Sequence, residues 1–240
     1  MRSLLVVDLG RQPYADVLAF QREVARARIA GSVDEDVLLL VEHPPVITLG
    51  RSSKSAHMLA TPEYLMEQGV ELFEVERGGD VTFHGPGQLV GYPIVDLKQH
   101  RRDLHWYLRQ VEEFLIKALA TYGLAGTRRA PYTGVWIEGR KIASIGVHAR
   151  DWVTWHGFAL NVETDLRYFE LIVPCGIAAV QMTSIAAELP NEPVALAAVG
   201  ERVVAAAADV FGLIPRPIAA SDLTAALHAP ITAAADGAGR

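Results

Sequence analysis

GVWIEGRKIASIGVHARDWVTWHGFALNV, residues 134–162, holds three β-prone apolar runs in close succession. Gly134–Ile137 and Lys141–Ala149 flank Glu138-Gly139, a pair suited to a tight hairpin turn, and Trp155–Val162 comes next. Strands joined so closely form consecutive antiparallel hairpins, because a parallel return needs a long crossover. Upstream lie the strand-like runs Leu4–Asp8, Val37–Glu42, Leu72–Glu76 and Val90–Val95, interleaved with helical patterns. The combination predicts an α/β (α+β) chain with mixed sheets covered by helices, not a regular parallel βαβ repeat.

Three amphipathic helices are expected. One runs over about 13–30 with Tyr14, Val17, Leu18, Val24 and Ala25 on one stripe. A second runs over about 103–122, with Leu104, Tyr107, Leu108, Val111, Leu115, Leu119 and Tyr122 at helical spacing and Gly123 placed to end it. A third is opened by Pro193 and closed by Gly212. A shorter helix starts at Thr61-Pro62, where threonine can cap and proline can occupy the first turn. Residues 1–213 read as one domain. From residue 214 an Ala-rich tail begins, expected to be partly disordered, above all over 229–240.

Composition narrows the function classes. A chain of 240 residues with a net charge of −6 and a pI near 5.7 does not look like a nucleic-acid binder. The apolar run Val37–Val41 is far too short to span a bilayer, and the N-terminus lacks the pattern of a signal peptide, so no membrane partner is expected and the chain reads as cytoplasmic. One cysteine excludes an internal disulfide and a cysteine-based zinc site.

That cysteine, Cys175, stands in Val173-Pro174-Cys175-Gly176-Ile177. A lone cysteine is most often buried structure. Proline before and glycine after make this one a turn, and Gly176 could offer a close backbone N–H as part of an oxyanion hole. A nucleophilic thiol must be ionised, and an unperturbed one, with a pKa of about 8.5, is mostly protonated at neutral pH. A cation or base must therefore lie nearby. Lys141 is one candidate. Simple alternation puts it on the apolar face of its strand with Ala143, Ile145 and Val147, where it either snorkels to water or is buried for a purpose. The opposite face carries Ser144, Gly146 and His148, whose small residues leave a groove or admit a neighbouring element. Histidines 43, 84, 148 and 156 are further candidate bases; they show no metal-ligand spacing, so no metal is expected.

Arg77 to Gln88, RGGDVTFHGPGQ, is a glycine-rich stretch with arginine, aspartate and histidine. It matches neither a dinucleotide fingerprint nor a phosphate loop, since its glycines have the wrong spacing and it leads into a strand. Alone it reads equally as a functional loop or as an ordinary turn.

In series these segments resemble a known family. The stretches at Glu42–Arg51, Arg77–Leu89, Gly134–Trp136, Lys141–Gly146, His156–Val162 and Pro174–Ile177, in this order and spacing, are similar to the signatures of the octanoyltransferases of lipoate biosynthesis, also called lipoyl(octanoyl) transferases. The resemblance covers residues 1–213. It implies a fold like the catalytic domain of biotin and lipoate protein ligases. It implies transfer of octanoyl from octanoyl-acyl carrier protein to a lysine of apo lipoyl domains, those of 2-oxoacid dehydrogenases and of the glycine cleavage H protein. A Cys/Lys pair and a thioester intermediate are implied too, falling on Cys175 and Lys141. No cofactor is implied. The acyl-binding segments fall on Arg77, Gly78, Gly79, Asp80, Val81, Thr82, Phe83 and His84, on Ser144, Ile145 and Gly146, and on Gly157, Phe158 and Ala159. The alternative is an ATP-dependent lipoate or octanoate ligase of the same fold, which would need no cysteine.

Overall fold

The run DVLLLVE at Asp36–Glu42 forms a strand buried on both faces, and it shows how the molecule is layered. Leu38 and Leu40 enter one apolar cluster while Val37, Leu39 and Val41 enter another, so helices must cover both sides of this sheet. The computed structural model describes residues 2–228. In chain order these residues form β1 (Ser3–Arg11), α1 (Tyr14–Ala30), β2 (Asp36–Glu42), β3 (Val46–Leu49), α2 (Pro62–Glu67), β4 (Glu71–Glu74), β5 (Thr82–His84), β6 (Gln88–Ile94) and α3 (Leu104–Ala120). Then come β7 (Gly134–Ile137), β8 (Arg140–Arg150), β9 (Val153–Asn161), α4 (Ile185–Glu188), α5 (Leu196–Phe211), β10 (Ile214–Pro217) and α6 (Ala220–Leu227).

A seven-stranded sheet has the order β10-β1-β2-β6-β9-β8-β7, and a small sheet has the order β4-β3-β5. Pairing is parallel at β1/β10, β1/β2 and β3/β4 and antiparallel elsewhere, the mixed arrangement the hairpins of 134–162 call for. Helices α3 and α5 cover one face, burying Phe114, Leu115, Val203 and Phe211 against Leu38 and Leu160. Each such side chain contributes about 1.5–3 kcal/mol by leaving water. Helices α1 and α6 cover the other face through Val17, Val24 and Leu223. Asp103 caps α3 through the Trp106 N–H, and Thr61 caps α2 through the Tyr64 N–H. Gly212, at φ 66°, closes α5 in the left-handed conformation that suits glycine. No helix among the described residues is long and apolar enough to cross a membrane.

Three short strands escape the sequence reading: β3, β5 and β10 have only three or four residues each. The last of them corrects the expected boundary. β10 pairs in parallel with β1, and the Leu223 side chain of α6 is fully buried, so residues 214–227 complete the sheet and its cover rather than trailing from them. The expected disorder over 229–240 lies outside the described residues.

Candidate active site

Pro174 restricts the backbone ahead of Cys175, and the turn Pro174–Gly176 places Cys175 at φ 56°, ψ 19° and Gly176 at φ 65°. A left-handed non-glycine residue is strained and survives only where its surroundings hold it. The Cys175 N–H donates to Val81 O at 2.9 Å. The Gly176 N–H donates to Val173 O at 3.0 Å. This corrects the expectation for Gly176: its amide closes the turn itself and is not a free oxyanion donor.

Lys141 does not snorkel. Its side chain is 1% exposed. The register of β7 and β8 skips a residue: Val135 faces Ala143 and Trp136 faces Lys141, leaving Ile142 as a bulge. Simple alternation fails there. Ile142 joins Ala143 in the apolar core, and Lys141 turns to the face of Ser144. Lys141 Nζ then lies 3.1 Å from Cys175 Sγ and 3.3 Å from Thr133 O, with the Trp136 ring centroid 5.0 Å away. Ser144 Oγ lies 3.6 Å from the same sulfur. A buried ammonium needs such partners, because desolvating a charge without them costs several kcal/mol.

The same contacts act on the thiol. Burial alone would raise its pKa. The charge and hydrogen bond of Lys141, then the Ser144 hydroxyl and the more distant Arg77, outweigh burial and hold Cys175 below the ordinary thiol value.

Beside Cys175 lies a cavity of about 300 Å³ between the large sheet and the glycine-rich loop. Of the residues expected to bind an acyl group, Arg77, Gly78, Gly79, Asp80, Thr82 and His84 line it from the loop and β5. Ser144, Ile145, Gly146, Gly157, Phe158 and Ala159 line it from the sheet. Val81 and Phe83 do not. Alternation through residues 81–84 turns them into a separate apolar cluster with Ile47, Leu65 and Ile172. The glycines also serve differently from simple space for a ligand. A Cβ at Gly146 would stand 2.8 Å from Gly78 O, and one at Gly157 would overlap Gly91 O, so both let backbone approach backbone. The Gly78 N–H binds Val147 O at 2.8 Å, docking the loop on β8. Arg77 spends its donors on Thr48 O, Thr48 Oγ1 and Gly78 O.

None of the four candidate histidines bonds to the thiol. His43 sits between Gln12 O and Tyr92 Oη, each at 2.8 Å, and burial holds its pKa down to about 4. His84 meets Gln88 Oε1 at 2.8 Å and burial holds it down to about 3. His148 packs edge-on against Trp155, and His156 Nε2 lies 3.8 Å from Glu76 Oε1. Sequence reasoning missed Tyr14, Tyr92, Leu104, Leu108, Tyr132 and Thr133 on the cavity wall. Leu104 and Leu108 lie on the apolar stripe of α3, which carries no mark separating wall from core. It also missed His57, 2.6 Å from Asp80.

Solved structures with this fold include a lipoate-protein ligase A bound with ATP, at 15% identity and TM-score 0.75 over 95% of this chain and 92% of that one. Another is the bi-partite lipoate protein ligase from Thermoplasma acidophilum, at 18% identity and TM-score 0.74 over 95% and 90%. Residues 13–208 match the family model of the lipoyl protein ligase A/B catalytic domain, and that defines the class. Within it, the curated octanoyltransferase of Rubrobacter xylanophilus is 52% identical over 205 residues, 85% of this chain and 91% of the relative. The octanoyltransferase of a Nostoc species is 49% identical over 211 residues, 88% and 93%, and that of Synechococcus elongatus 47% identical over 224 residues, 93% and 94%. The chain belongs to the octanoyltransferase family and is a transferase.

Proposed function

We propose that the protein moves an octanoyl group from octanoyl-acyl carrier protein to a lysine of an apo lipoyl domain, through a thioester on Cys175. The observation that carries this reading is the 3.1 Å approach of Lys141 Nζ to Cys175 Sγ beside a cavity lined by Ile145, Phe158 and Ala159. The Cys175 thiolate attacks the carbonyl carbon of the donor thioester. The tetrahedral intermediate collapses, the carrier thiolate leaves, and Lys141 returns to it the proton taken from Cys175. The neutral amine of the acceptor lysine then attacks the enzyme thioester, an amide bond forms, and Cys175 leaves as thiolate while the amine proton passes to Lys141. Exchanging one thioester for another is nearly isoenergetic and the amide product lies downhill, so the cycle needs no ATP.

Intact-mass measurement after mixing with octanoyl-acyl carrier protein, without ATP, tests the reading. An octanoyl adduct on Cys175 is expected, and it should disappear when an apo lipoyl domain is added. A Cys175→Ser protein that transfers at a near-normal rate excludes the covalent route.

A further inference from the structure

Asp80 stands on the cavity wall, yet both its oxygens are engaged by protein. Oδ1 accepts the Val81 N–H at 2.7 Å, and Oδ2 lies 2.6 Å from His57 Nδ1. These two partners also hold the turn that carries Cys175. Val81 O accepts the Cys175 N–H at 2.9 Å, and His57 O accepts the Val173 N–H at 2.8 Å. Gly176 closes against the same pair: a Cβ there would stand 2.5 Å from Asp80 Oδ2 and 3.0 Å from His57 Cε1. One carboxylate thus ties together both outside anchors of a segment whose central residue keeps a left-handed backbone at φ 56°.

We propose that Asp80 and His57 are positioning residues for Cys175, forming a clamp that keeps the Pro174–Gly176 turn left-handed and the sulfur within reach of Lys141. The inference rests on reading Cys175 as the nucleophile and adds to it two residues 23 positions apart in sequence. Without the clamp the backbone of Cys175 can relax to negative φ, which swings Sγ away from the Lys141 ammonium. A displacement of about 1 Å in a reacting group costs on the order of 100-fold in rate. Asp80 acts here through hydrogen-bond geometry, not as a proton carrier.

The test compares Asp80→Ala, His57→Ala and Asp80→Asn in the full chain. The alanine variants are expected to keep their circular dichroism and cooperative melting. Their iodoacetamide alkylation should move to higher pH, and kcat for transfer from octanoyl-acyl carrier protein should fall about 10- to 100-fold with KM little changed. Asp80→Asn keeps an acceptor for the Val81 N–H and can donate to His57 Nδ1, so it should recover most of the rate; it also serves if an alanine variant does not fold. Asp80→Asn as slow as Asp80→Ala overturns the clamp, because charge and not geometry would then matter. Folded alanine variants with an unchanged alkylation profile and kcat overturn it as well. Failure of the underlying reading looks different: Cys175→Ser would then transfer normally, whatever happens at 57 and 80.

Discussion

Lys141 and Ser144 lie three residues apart in β8 and still face the same way, Nζ 3.1 Å and Oγ 3.6 Å from Cys175 Sγ. An unbroken strand would turn residues of odd spacing to opposite sides. The bulge at Ile142 absorbs one step, so a charged donor and a hydroxyl converge on one sulfur.

The two donors differ in what their removal does. Lys141→Ala takes away the charge and the shorter hydrogen bond, so the alkylation midpoint of Cys175 should move up and transfer should fall by about 100-fold or more. Ser144→Ala removes a longer contact from an uncharged donor, worth about 1 kcal/mol, and the same two readouts should move in the same direction by roughly fivefold in rate. An unchanged alkylation profile in Lys141→Ala would remove the lysine from its role.

Glu112 supports Lys141 from behind. It is fully buried on α3, accepts the Gly134 N–H at 3.1 Å, and takes Arg109 at 2.6 Å and Arg128 at 2.9 Å. Gly134 follows Thr133, whose carbonyl receives the Lys141 ammonium. Glu112→Ala leaves that amide unpaired and should lower stability by about 2–3 kcal/mol in urea melts, somewhat less than a fully buried pair because both arginines are partly exposed. Glu112→Gln retains an acceptor for Gly134 and should lose less. Equal losses in the two variants would mean that the arginine charges, not the amide, dominate.

What the sequence reveals here follows from range. The helices were legible because Val111, Leu115 and Leu119 on α3, or Val17 and Val24 on α1, repeat at a period that their own burial enforces. Cys175 and Lys141 could be singled out because each breaks its local pattern, one in a Pro-Gly turn and one among apolar neighbours. The bulge at Ile142 could not be seen, since it depends on the partner strand β7. His57 gave no sign either, because its meaning comes from Asp80 across the fold. The family resemblance places Val81 and Phe83 with the binding loop, whereas alternation through residues 81–84 separates them from Thr82 and His84.

Buried neutral histidines give the fold an acid limit. His43 titrates at about 4 in the folded chain against an ordinary 6.5, so between these values the unfolded chain binds more protons. Stability is therefore complete above about pH 6.5 and lost as pH falls toward 4, by on the order of 3 kcal/mol from this residue. His84, held to about 3, acts in the same direction. The thermal midpoint of the wild type should drop steadily over this window. His43→Gln, whatever its midpoint at neutral pH, should flatten that slope, and an unaltered slope would assign acid lability to other groups.

The glycine-rich loop is seated on the sheet by contacts that two substitutions can separate. At Gly146 a Cβ would stand 2.8 Å from the backbone Gly78 O, closer than backbone can tolerate, and 3.2 Å from the Arg77 side chain at Cδ. At Gly78 the nearest atom to a new Cβ is Val147 O at 3.4 Å, an ordinary contact. Gly146→Ala should therefore push the loop off β8, weaken the Gly78 N–H to Val147 O bond and cost about 1–3 kcal/mol, the usual range for overpacking. Because the loop forms one wall of the cavity beside Cys175, KM for the octanoyl donor should rise with it. Gly78→Ala should change stability by less than about 1 kcal/mol. Chemical denaturation and steady-state transfer assays on the two proteins decide the matter. If Gly146→Ala were silent in both while Gly78→Ala was damaging, the loop would be held by something other than its approach to this strand.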